Sequence, residues 1–178
     1  MLLTLALVAG LTACGAEEAP SARPAAADRG AGGISHLLPT NFALLRTPPD
    51  GIPAGVMRTL NVPIPGMRWS LARQIPVNLP GKYWLAPGVS DLCIVATTPA
   101  SPAVGTVCAS VEEALRHSIA NVALDKRSGK RLIVGVAPDG TRTVLVRSGV
   151  STSSTRVRGG TFVIRDSVST PPDLLTLR

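Results

Sequence analysis

Two side-chain types much used in covalent and acid–base chemistry near neutral pH are sparse here: three cysteines and two histidines among 178 residues. Cys93 and Cys108 lie in "LCIVATTPASPAVGTVCAS", in two strand-like runs separated by a Pro-containing turn. Folded as a hairpin, this segment brings the two thiols together. In an oxidising compartment a disulfide follows, closing a loop of about 15 residues and stabilising the fold by about 3 kcal/mol. A zinc site wants four ligands in paired spacings, whereas His36 and His117 each stand alone, so no metal and no cofactor is expected. Catalytic signatures are equally sparse, with no G-x-S-x-G elbow, no H-E-x-x-H, no Walker-type loop and no G-x-G-x-x-G after a strand. A nucleophile and base can be assembled from distant parts of any chain, and His117 with the serines of "STSST" offers one such combination. Its place seven residues past Ser110, at the end of an amphipathic run, suits a helix C-terminal charge better than a general base. No catalytic residue is therefore assigned.

Cys14 has a different setting. It follows the apolar run "MLLTLALVAG", which has the length of a signal-peptide core and falls short of the ~20 residues that a spanning helix needs. Leu11-Thr12-Ala13-Cys14 resembles the bacterial lipobox, in which a branched apolar residue and two small residues precede a cysteine. The resemblance implies lipid transfer to the Cys14 thiol and cleavage after Ala13, where small side chains let a protease approach the backbone. No Lys or Arg precedes the apolar run. Signal peptides carry positive charge there, so a short basic stretch upstream of Met1 is expected. The segment "GAEEAPSARPAAADRGAGG" has no large apolar side chain with which to form a core. It reads as a tether whose mean span as a flexible coil is roughly 24 Å. The expected organisation is a signal peptide over 1–13, a disordered tether over 14–33 and one β-rich domain over 34–178, anchored to the outer face of the cell membrane.

Charge narrows the partners. Residues 34–178 hold 16 Lys and Arg against 8 Asp and Glu, a net charge of +8. A basic domain held beside a membrane meets anionic headgroups and phosphate-bearing wall polymers. Nucleic acid is not expected, because aromatic residues make up only 3% of the chain and leave few stacking platforms. The densest cluster is "DKRSGKR", residues 125–131, where Lys126, Arg127, Lys130 and Arg131 flank Ser128-Gly129. It reads either as a solvated loop or as an anion-binding site. No protein partner is legible.

The elements that position these residues follow from spacing. "SVEEALRHSIA" has Ser110 and Glu113 at capping-box separation, with Val111, Ala114, Leu115 and Ile119 as an apolar stripe. Glu112 and Glu113 then serve the helix dipole rather than acting as an acid pair. "RLIVGVAPDGTRTVLVRSG" reads as strand, turn and strand, with Gly140 supplying the positive φ of a tight hairpin. "STRVRGGTFVIRDS" offers a second strand pair around Gly159-Gly160, and Ser151–Thr155 an edge strand or loop. "KYWLAPG" reads as an entry strand. "MRWSLARQI" places Met67, Leu71 and Ile75 at helical spacing, and Trp69, Tyr83 and Trp84 are expected in the core or against the disulfide. The fold class is α+β and β-rich: an antiparallel meander with hairpins, covered by one or two short helices and stapled by one disulfide.

Phe42-Ala43-Leu44-Leu45-Arg46, Asp50-Gly51-Ile52-Pro53, "KYWLAPG", the two cysteines and "VGVAPDGTRTVLV" occur in that order. This arrangement resembles a group of exported proteins of unknown function from high-GC Gram-positive (actinobacterial) bacteria, in which a V-P-D-G-V segment recurs as a β-hairpin. Here Ala137-Pro138-Asp139-Gly140-Thr141 takes its place. The resemblance spans residues 42–166 and implies fold and location, with no activity attached. A membrane-anchored extracytoplasmic lipoprotein with a non-enzymatic binding or sensing domain is the expected function. The alternative is an envelope hydrolase with an unrecognised catalytic constellation.

Overall fold

Strand-forming runs dominate the computed structural model, which describes residues 35–60, 64–98, 101–125, 130–148, 151–166 and 174–177. Cys14, the expected signal segment and tether, Lys126 and Arg127 lie outside the described residues. Among those described, the strands form three antiparallel sheets. The first is β1 (Arg73–Gln74), β2 (Lys82–Pro87), β3 (Asp91–Thr98) and β4 (Ser101–Ser110), in chain order. The second has β6 (Lys130–Val136) between β5 (Ile119–Asp125) and β9 (Thr161–Asp166). The third has β7 (Thr143–Ser148) between β8 (Ser151–Arg156) and β10 (Leu174–Leu177). Three short helices, α1 (Leu37–Asn41), α2 (Ala54–Thr59) and α3 (Val111–His117), complete the β-rich α+β architecture. None is long and apolar enough to cross a membrane.

Burial on both sides explains the unbroken apolar runs. In β3, Leu92, Ile94 and Ala96 enter the main core with Leu38, Phe42, Leu45 and Tyr83, while Val95 on the opposite face packs with Ala72, Trp84 and Ala86. A strand covered on both faces has no reason to alternate with polar residues. β6 repeats the arrangement: Leu132, Val134 and Val136 join the main core, and Ile133 a second cluster with Val144, Val146, Phe162 and Ile164.

Two expected pairings are corrected. Pro138-Asp139-Gly140 is a turn, closed by Thr141 N–H donating to Pro138 O at 3.2 Å with Gly140 at φ +85°. It does not make a hairpin of β6 and β7, which belong to different sheets. β6 needs cover from β5 and β9, and Asp139 is bonded to the N-terminal segment instead of continuing a ladder. Gly159 and Gly160, at φ +57° and +76°, form a two-residue turn in which Arg158 and Thr161 exchange hydrogen bonds of 2.9 and 3.0 Å. Positive φ at both central positions matches the twist of a hairpin, yet only that one bridge forms before β8 and β9 separate into different sheets. The meander is thus three sheets.

Met67, Leu71 and Ile75 do not share a helix. Prolines at 63, 65 and 76 leave too few residues to nucleate one. The segment makes a single 3-10 turn, Trp69–Leu71, and then pairs Arg73 with Leu85 and Gln74 with Trp84. Arg73 is buried, its Nε donating to Thr47 O at 3.0 Å and its Nη1 to Leu71 O.

Candidate functional site

The hairpin of β3 and β4 sets Cys93 directly opposite Cys108, with Cα atoms 4.1 Å apart and the side chains joined as a disulfide. Cys93 is fully buried, whereas Cys108 reaches the surface. Tyr83 lies in the main core; Trp84 is on the disulfide's side of the sheet, with Met67 and Trp69 packed against it. Met67 Sδ lies 3.6 Å from Cys93 Sγ. A disulfide sulfur has no proton to donate, so this is a van der Waals contact between sulfurs.

Ser110 and Glu113 form the expected capping box. Glu113 N–H donates to Ser110 Oγ at 3.2 Å, and Ser110 N–H donates to Glu113 Oε2 at 3.1 Å. The Ser110 backbone bond, followed by the bond from its hydroxyl, holds the Glu113 carboxyl below its ordinary range. Glu112 pairs with Arg116 one turn on. Both glutamates therefore serve the helix.

Asp139 joins two stretches more than ninety residues apart in the chain. Its Oδ1 accepts from Ala43 N–H at 2.9 Å, its Oδ2 from Arg46 Nη1 at 2.7 Å, and its own N–H donates to Asn41 O at 2.8 Å. Arg46 Nη1 also donates to Pro39 O at 3.0 Å. The FALLR and PDG stretches are two halves of one structural clip.

Exposed arginines recur where no run of the sequence announces them. Residues 141–165 contain five arginines and no acid. Arg142, Arg147, Arg156, Arg158 and Arg165 are all exposed, and none forms an ion pair among the described residues. Val144 and Val146 are buried, so the alternate residues of β7 face outward. Register then places Thr143 beside Arg156, Leu145 beside Ser154 and Arg147 beside Thr152 on that outward face. Arg147 and Arg156 stand about 14 Å apart along the strand direction, with hydroxyl-bearing residues between them. Ser151–Arg156 is an edge strand, as the sequence suggests. Of the charged cluster that reads either as a solvated loop or as an anion-binding site, Lys130 is exposed and Arg131 is buried. A search for contiguous charge overlooks the larger group, because strand alternation spreads its members along the chain. The readable signal was the lack of any acid over 25 residues.

His36 precedes α1 and His117 ends α3; both are exposed. Neither imidazole has a hydroxyl within hydrogen-bond distance among the described residues. No three His, Cys, Asp or Glu side chains there are grouped to hold a metal ion. Ser118 sits at φ +64° with its Oγ buried and unpartnered, a strained junction between α3 and β5. Comparison with protein-family models, with curated proteins and with solved structures found no match.

Proposed function

We propose that this chain is a lipoprotein, lipid-modified at Cys14, whose β-rich domain works on the outer face of the cell membrane. There it binds anionic headgroups or phosphate-bearing envelope polymers without catalysis. The observation that supports the reading is the outward face of β7 and β8, where Arg147 and Arg156 flank Thr152 and Ser154 with no acid paired to either arginine among the described residues. Guanidinium groups recognise phosphate through paired donors, and hydroxyls between them add neutral donors. The Cys93–Cys108 disulfide is compatible with export, since such bonds persist in oxidising compartments.

Vesicle binding tests the reading. Unlipidated full chain carrying Cys14→Ser should sediment with anionic vesicles and not with neutral ones. Each basic side chain near such a surface contributes about 1 kcal/mol, so changing Arg147 and Arg156 together to Gln should weaken binding by roughly tenfold or more at low salt. Replacing Lys126, Arg127, Lys130 and Arg131 by Gln in the same assay tests the charged loop as the anion site instead. Equal binding of the unmodified domain to neutral and anionic vesicles would remove the support for this function.

A further inference from the structure

We infer that Met67, Cys93 and Cys108, once their disulfide is opened, form a binding site for a soft monovalent cation of the Cu(I) and Ag(I) class. This inference does not rest on the envelope-binding reading. It begins from placement. The ladder between β3 and β4 keeps Cys93 and Cys108 opposite one another through flanking pairs on both sides, from Asp91 with Ser110 to Thr97 with Val104. The backbone therefore holds the two sulfurs as neighbours independently of the bond between them. Met67, 26 residues before Cys93, is brought to the same place by its bridge to Gly88 and by Arg68 N–H donating to Pro87 O at 2.9 Å. Its Sδ comes to 3.6 Å from Cys93 Sγ.

A missing side chain makes room for that third sulfur. A Cβ on Gly88 would stand 2.8 Å from Met67 Sδ, well inside contact distance. The donor set of two thiolates and a thioether is the soft combination that selects Cu(I) over harder divalent ions. With metal–sulfur bonds of about 2.3 Å, a three-coordinate site holds its sulfurs about 4 Å apart, close to the present separation of Met67 and Cys93. Trp84 and Val95 supply an apolar floor, and the exposure of Cys108 gives the ion an entry path.

The reaction balances simply. Opening the disulfide takes two electrons and two protons from a dithiol reductant, which is itself oxidised to a disulfide. Binding of the cation then releases the two thiol protons to solvent and transfers no electron. Disulfide and bound cation exclude one another.

The test uses full chain carrying Cys14→Ser, so that Cys93 and Cys108 are the only thiols. After reduction by a phosphine and its removal, Cu(I) alone is titrated without oxygen against a chromogenic Cu(I) chelator. Near-ultraviolet dichroism of Trp69 and Trp84 monitors the fold. Reduced protein should bind one equivalent and oxidised protein none. Met67→Leu, which preserves volume, should bind about tenfold more weakly, as should Gly88→Ala, and Cys93→Ser should no longer compete. Met67→Leu binding as tightly as the parent would reduce the cluster to an ordinary dithiol and overturn the proposal. A stoichiometry of zero, or loss of the tryptophan signal on reduction, would overturn it equally.

Discussion

Asp139 shows how one carboxylate can hold together stretches nearly a hundred residues apart. Its two oxygens take one backbone donor and one guanidinium, while its own amide is bonded to Asn41. The ion pair with Arg46 is solvent-exposed, at 49% and 36% for the two side chains. Screening therefore keeps its share small, and the backbone bond carries the rest. Asp139→Ala should cost about 1–2 kcal/mol and lower the melting temperature by roughly 3–6 °C. Asp139→Asn keeps an acceptor for Ala43 N–H and should lose less. Calorimetry of the two variants separates the terms, and an Ala variant melting with the parent would mean that the clip holds nothing. The role of this aspartate was hidden in the sequence, where Pro-Asp-Gly reads as turn chemistry. The turn is present, but no local pattern says that its carboxylate reaches residues 43 and 46.

At the scale of elements, what was legible was local and what was not was pairing. The Cys93–Cys108 hairpin, the capping box at Ser110 and the strand at Lys82–Pro87 are each fixed by residues near in sequence. Sheet membership is set by burial, which joins distant segments. β6 is buried from Arg131 to Val136, so it needs neighbours on both sides, and it takes β5 and β9 rather than the strand that follows the next turn. The arginine face has the same cause, since only the register of β7 against β8 places Arg147 and Arg156 on one surface. The hairpin itself yields a stability prediction. Its disulfide closes a loop with a sequence separation of 15, an entropic stabilisation of about 3 kcal/mol. Cys108→Ala should lower the melting temperature by roughly 6–12 °C and leave the domain folded at room temperature, because the ladder flanks the lost bond on both sides. The exposed position is the right one to change, as it creates no cavity comparable to one at Cys93. A melting temperature equal to that of the parent would show that the bond constrains nothing the unfolded chain explores.

For the whole molecule, the proposed lipid and the basic face act on different length scales. The proposed tether, with a span of roughly 24 Å as a flexible coil, would let the domain explore a shell near the membrane, whereas a surface charge is felt only within about 8 Å at physiological salt. The lipid would then supply retention, and the arginines only bias how often the domain touches anionic material once it is there. Two measurable consequences follow for cell fractions. The intact protein should stay in the membrane pellet at any salt concentration. Cys14→Ser protein should leave it, and the small remainder should wash off as ionic strength rises. Within that remainder, Arg147→Gln with Arg156→Gln should remove most of the salt-sensitive part, since these side chains lie on an outward face without paired acids among the described residues. Mass spectrometry of the pelleted protein should find Cys14 as a lipid-modified N-terminus. If Cys14→Ser protein pellets like the parent at high salt, and no lipid is found on Cys14, another attachment holds the chain and the anchor must be abandoned. If lipid is present but the arginine variant washes off no more easily than its parent, the charge is a solubility feature and the ligand of this domain lies elsewhere on its surface.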